Sequence, residues 1–156
     1  MFAVKDWGRG GRRYASRMHF TGTVFFDLLS HDVWRIYTVL LKASQDRSVT
    51  VDVEWRAFTA EDLDSGSGSV RGLAACEAVR DGFPGAHEKF ARALLTLTYQ
   101  ERDKPGADKT LAVAAKVAGI EAAEVLSLVD EPGMRLLAAS VDSARERGVT
   151  GVPCIE

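Results

Sequence analysis

From Thr23 to Leu28 the chain reads Thr-Val-Phe-Phe-Asp-Leu, a short run of β-branched and aromatic side chains of the kind that forms a buried strand. The spacing then changes. Val33, Ile36, Tyr37, Leu40 and Leu41 recur at three- and four-residue steps, which predicts an amphipathic helix to about Gln45, capped by Ser30 or Asp32. Polar Asp46, Arg47 and Ser48 end it. Next, Val49, Val51, Val53 and Trp55 alternate with Thr50, Asp52, Glu54 and Arg56, so one face of a second strand meets a core and the other meets water. A helix of that length between two strands makes them parallel neighbours in a right-handed crossover.

Asp64 to Ser69 reads Asp-Ser-Gly-Ser-Gly-Ser, a flexible linker by composition. Beyond it the pattern is helical, with segments near Val70 to Arg80, Gly85 to Gln100, Lys109 to Ala118, Ala122 to Val129 and Pro132 to Arg147, divided by Pro84, Pro105, Gly119 and Pro132. Gly119 and Gly148 each follow an apolar helical stripe, as a C-terminal glycine does, and Pro132 suits a first helical turn. Cys154 and Ile155, after Val-Thr-Gly-Val-Pro, open a third strand.

Composition narrows the class. The chain has 156 residues, 46% of them hydrophobic and 27% charged, enough for one globular unit with a real core. It contains neither a membrane-length apolar run nor a secretory signal pattern, so a cytoplasmic location without a membrane partner is expected. The net charge of -2 gives no general footprint for a nucleic acid, so none is expected as a partner. The charge is uneven, however: Lys5, Arg9, Arg12, Arg13 and Arg17 face only Asp6 before Met18, in a glycine-rich stretch with no apolar face. Residues 1–18 therefore read as a disordered basic extension, or as sequence ahead of a true start at Met18.

The two cysteines, Cys76 and Cys154, are far apart and have no metal-ligand spacing, so neither a disulfide framework nor a metal site is expected. Cys76 sits among Leu73, Ala74, Ala75 and Ala78 and reads as a small buried hydrophobe; Cys154 reads as a buried, inert strand thiol. His87, beside Glu88 and Lys89, reads as a surface residue.

Two strands joined by a helix, a helical insertion, and then Gly148-Val149-Thr150-Gly151-Val152-Pro153 leading into a strand together resemble the DsbA-like branch of the thioredoxin superfamily. That group includes dithiol oxidoreductases, kappa-class glutathione transferases and 2-hydroxychromene-2-carboxylate isomerases. The resemblance runs from about Phe20 to Glu156 and implies an α/β, thioredoxin-like fold with a helical insertion, lacking the C-terminal strand hairpin and helix. It divides the chain into the extension at 1–18, a partial thioredoxin-like domain at 19–60 and 148–156, and a helical insertion at 61–147. An open sheet edge of that kind recruits other chains, so a homodimer is expected.

Redox members of the family carry Cys-x-x-Cys at the start of the first helix, where amides and helix dipole stabilise a thiolate. The matching stretch here is Phe26-Asp27-Leu28-Leu29-Ser30-His31-Asp32-Val33-Trp34, with Ser30 and Val33 in the cysteine positions. Valine forms neither thiolate nor disulfide, which removes dithiol exchange from this site. The arrangement is more similar to the Ser-Pro-Tyr-Ser-Trp of the transferases and isomerases, whose first serine hydrogen-bonds the sulfur of bound glutathione. The resemblance thus gives Ser30 as the candidate catalytic hydroxyl, His31, Trp34, Val152 and Pro153 as substrate-binding residues, and a low-molecular-weight thiol, glutathione or mycothiol, as a non-covalent cofactor. It also implies a thiol or small aromatic substrate. Val152-Pro153 matches the family's cis-proline loop. His31, Asp32 and Val33 depart from the pattern, and Asp32 would repel a bound thiolate.

Three readings follow: an oxidoreductase-like protein with a degenerate site, a transferase or isomerase using a bound thiol against Ser30, and a non-catalytic interaction module or truncated gene product.

Overall fold

The computed structural model describes residues 18–156, and the basic extension expected before Met18 lies outside the described residues. The first strand, β1, runs Met18–Phe26 and pairs in parallel with β2, Val49–Ala57, in continuous register from Met18 opposite Val49 to Phe26 opposite Ala57. β1 is longer than the apolar run predicts. Its first residues are exposed, and the ladder to β2 supplies their hydrogen bonds where side-chain pattern gives no signal. Between the strands lies α1, His31–Ser44, with Val33 and Tyr37 buried on its inner face.

After a short 3-10 turn at Leu63–Ser65 come α2 (Gly68–Gly82), α3 (His87–Tyr99), α4 (Asp108–Ala118), α5 (Ala122–Leu128) and α6 (Glu131–Glu146). The chain then returns to the sheet as β3, Cys154–Ile155, antiparallel to β1, giving the strand order β2-β1-β3. No helix of the described residues is long and apolar enough to cross a membrane.

The core is continuous from sheet to helices, running from Phe25, Phe26 and Trp55 through Leu73, Phe90 and Leu94 to Leu111 and Leu137. At its centre is α2, buried from Ser69 through Val79 except for half-buried Arg71. A helix buried on nearly all sides shows little amphipathic signal, which fits its Ala-rich sequence. It meets α6 at close range: a Cβ on Gly133 would lie 2.7 Å from the carbonyl oxygen of Ala74, so only glycine lets the backbones approach this far. Arg71 ties α2 to the segments that open α4 and α6, donating to the Gly106 carbonyl at 2.5 Å, Asp108 at 2.7 Å and Asp130 at 2.9 Å.

Polar contacts anchor this helical block to the sheet. The Ala57 amide donates to Glu77 Oε1 at 3.1 Å, and the Ala57 carbonyl accepts from Ser140 Oγ at 3.1 Å. Glu77 is itself buried and takes two hydrogen bonds on Oε2 from Arg80, at 2.8 and 2.6 Å. The amide and carbonyl of Ala57 are thus satisfied by α2 and α6, while the next amide, Phe58, still donates to the Phe26 carbonyl of β1 at 2.9 Å. Gly119 and Gly148 adopt φ of +77° and +86° after α4 and α6, the left-handed conformation their placement predicts.

Three sequence expectations change here. The Asp64 to Ser69 stretch is more ordered than a linker: Ser67 caps α2, accepting from the Val70 amide at 3.2 Å and donating to Glu61 at 2.6 Å, while Ser69 is buried. His87 is buried, not on the surface, because it lies in helical step with Phe90, Ala91 and Leu94 on the inner face of α3. Cys154 is half-buried against the core, since β3 lies at a sheet edge, whereas Cys76 is fully buried as expected and its thiol pKa is pushed well up by desolvation.

Replacing Glu77 by leucine leaves the Ala57 amide and Arg80 without their partner, and urea denaturation should register a loss of about 3–5 kcal/mol. Glu77→Gln, whose amide oxygen still accepts from Ala57, should lose less. Burial, aided by the charge of Arg80 and opposed by Glu54, lowers the His87 pKa to about 4. Because the unfolded state takes up this proton first, stability should be full above the ordinary histidine pKa and fall as pH drops toward 4, by up to about 3 kcal/mol. His87→Leu should flatten that limb of a stability–pH profile.

Candidate functional site

The site is assembled at the carboxyl end of β1, where the chain turns into α1. Asp27 builds that turn. Its Oδ1 accepts from the Leu29 amide at 3.0 Å and from the Ser69 hydroxyl at 2.7 Å, and its carbonyl accepts from the Ser30 amide at 3.3 Å. Asp27 is buried, so the Ser69 contact pins the start of α2 beside the start of α1. The short polar side chain of aspartate suits such a turn because it can replace a missing backbone partner.

Ser30 is the N-cap of α1, with extended backbone and its Oγ accepting from the Val33 amide at 3.3 Å. This contact occupies one lone pair and leaves the hydroxyl proton free to be donated. Val33 lies one turn in and is fully buried, so its side chain is part of the core. The end of the 14-residue helix carries the positive pole of its dipole, with Asp32 in the first turn opposing it.

His31 and Trp34 share one partner, Tyr99 at the end of α3. Trp34 stacks on the Tyr99 ring at 5.1 Å and 14°, and His31 approaches the same ring edge-on at 5.2 Å. Trp34 also leans on Tyr37 at 5.4 Å, and Tyr37 meets Trp55 of β2 edge-on at 6.2 Å, so an aromatic row leads from the helix start into the sheet core. The Tyr99 hydroxyl is enclosed without a hydrogen-bond partner among the described residues. Desolvation, then the negative charge of Asp27, raises its pKa to about 12.

Val152 and Pro153 reach the same end of the sheet by a different route. Antiparallel pairing of Cys154 with Phe25 and of Ile155 with Val24 leaves the preceding Val152 and Pro153, both half-buried, at the end of β1 from which Asp27 to Ser30 depart. The peptide bond between them is cis. The sequence alone brings out neither Tyr99 nor Ser69 as a site residue. Tyr99 has no motif around it, and Ser69 is hidden in a run that looks like a linker; an acidic residue at a strand end awaiting a hydroxyl donor is the one available hint.

A parallel β-α-β unit with an antiparallel returning strand, a helical block between them and a cis-proline just before the returning strand define a thioredoxin-like fold. The model of the DSBA-like thioredoxin domain family matches residues 69–155, more than half of the chain, and the chain belongs to that family. Among solved structures it is similar to the cytosolic disulfide reductase DsbM from Pseudomonas aeruginosa with GSH, at 16% identity over 87% of this chain and 85% of that one, with a TM-score of 0.64. It is also similar to a putative protein disulfide isomerase from Nitrosomonas europaea (13% identity, 87% and 84% coverage, TM-score 0.62). A thioredoxin-like oxidoreductase from Silicibacter pomeroyi DSS-3 shares 20% identity, with 87% and 73% coverage and a TM-score of 0.61. At these identities the likeness establishes the fold. A search of curated proteins finds no match.

Removing the unpartnered hydroxyl by Tyr99→Phe should keep the stack on Trp34 and leave stability at pH 7 unchanged or higher by up to about 1 kcal/mol in chemical denaturation. Since the folded pKa of Tyr99 is raised, the wild type should lose the contribution of this group as pH climbs from the ordinary tyrosine range through about 12. The Phe variant should lack that loss.

Proposed function

We propose that this chain is a thioredoxin-fold, oxidoreductase-like protein of the DsbA family with a degenerate active site that does not exchange dithiols. The observation that carries the reading is the pair Ser30 and Val33: the first caps α1 and the second is sealed in the core. Neither side chain can carry or pass a thiol electron pair, and Cys76 is fully buried in α2, away from solvent. The remaining thiol, Cys154, is the residue after the proline and has no second cysteine beside it.

A second reading is favoured by the free proton on Ser30. A cap hydroxyl that accepts from Val33 can still donate to an external sulfur, and the dipole of α1 assists an anion there. The similarity to DsbM, whose structure was solved with GSH, supports the same idea: a low-molecular-weight thiol such as glutathione or mycothiol held against Ser30, with His31, Trp34, Val152 and Pro153 around it. The substrate would then be a thiol adduct or a small aromatic compound. A cytoplasmic compartment suits this chemistry, because reduced thiols of that kind are held there. A non-catalytic interaction role is the third reading, and it requires that both tests below be negative.

The full chain should fail to accelerate insulin reduction or oxidation of a dithiol peptide above the uncatalysed rate; turnover retained after Cys76→Ser and Cys154→Ser would overturn the degenerate-site reading. For the thiol reading, glutathione and mycothiol should each be titrated while the Ser30 and Val33 amide resonances are followed. Ser30→Asp separates the two roles of the residue. Aspartate still caps α1, so stability should hold, but its charge repels a thiolate and binding should fall about tenfold or more.

A further inference from the structure

One turn beyond Trp34 along α1, at Tyr37, a groove of about 440 Å³ opens between α3 and α4. On the α3 side it is lined by Ala93, Thr96 and Leu97, and Tyr37 of α1 joins the lining. Its far wall is Val113 and Val117 of α4, four residues apart on one helical face and 40% and 60% exposed. Single exposed valines are ordinary, but a pair in register lining one concavity is apolar surface facing a common occupant.

The near rim is cationic. Lys89 and Arg92 lie one turn apart on the same face of α3 and both line the groove. Arg92 is held in place, its guanidinium over the Tyr37 ring at 5.8 Å and paired with Glu88 at 3.2 Å. Lys89 is exposed, and no carboxylate lies within 4.0 Å of it among the described residues. The unpaired cation of Lys89, the guanidinium of Arg92 shared with Glu88 and a largely apolar trough are complementary to a molecule with one negative end and one apolar end.

We propose that this groove binds a small amphipathic organic anion, a carboxylate bearing an alkyl chain or ring, with the carboxylate at Lys89 and Arg92 and the apolar part along Val113 and Val117. The volume lies within the roughly 300–1,000 Å³ of small-molecule sites, which favours a small ligand over a peptide. This site is independent of any thiol held at Ser30, and its occupancy is read on different residues.

The test is a titration of the full chain with octanoate, followed by backbone amide shifts, with octanol and octylamine as neutral and cationic controls. Octanoate should give saturable shifts confined to residues 89–97 and 113–117, octanol should bind more weakly and octylamine should not bind. Lys89→Glu and Val117→Ser both change exposed side chains and should leave the thermal melt in place. The first should weaken octanoate binding about tenfold, and the second several-fold. Absence of saturable shifts in the groove, equal binding of octylamine, or unchanged affinity in Lys89→Glu would overturn the proposal. So would an acidic amphipathic peptide that occupies the groove where octanoate does not.

Discussion

The peptide group of Ala57 governs how this protein is put together. It closes β2: the ladder to β1 runs on to Phe58, whose amide donates to the Phe26 carbonyl, while the buried amide and carbonyl of Ala57 itself take partners outside the ladder. Glu77 from α2 and Ser140 from α6 are those partners, so the helical block is fixed to the sheet by directional contacts as well as by apolar packing. An unmet buried amide or carbonyl costs on the order of 1–3 kcal/mol, which makes this docking geometry strongly preferred over nearby alternatives. Arg80 completes the arrangement by neutralising a carboxylate that would otherwise be an isolated charge in the interior.

The same logic recurs at the site. Asp27 ends β1 as Ala57 ends β2, and it too is satisfied from the helical block, through Ser69. The two parallel strands therefore present their carboxyl ends to α2 through hydrogen bonds, and the α1 N-terminus is set between them. With α1 so held, Ser30 and Val33 have different fates one helical turn apart: the first stays partly accessible at the cap, and the second becomes core.

Aromatic packing links this site to the rest of α3. Tyr99 meets Trp34 and His31, and Tyr37 lies under Arg92, so side chains of α1 and α3 connect the helix start to the groove between α3 and α4.

The sequence by itself determined the strand-helix-strand unit, the helical stretch after it, the glycine ends of α4 and α6 and the presence of serine at 30 and valine at 33. Each of these depends on local chemistry: alternation at Val49 to Trp55, helical spacing at Val33 to Leu41, the freedom of Gly119 and Gly148, and the identity of residue 33. What tertiary structure alone decided are the partners that are distant in sequence. Nothing local marks Glu77 as the acceptor for Ala57, Ser69 as the donor to Asp27 or Tyr99 as the platform for Trp34, since each pairing is set by where α2 and α3 dock. His87 is the intermediate case. Its spacing to Phe90 and Leu94 was legible as an inner face, but its charged neighbours Glu88 and Lys89 suggested the outside, and the docking of α3 settled which of the two periodic signals applied.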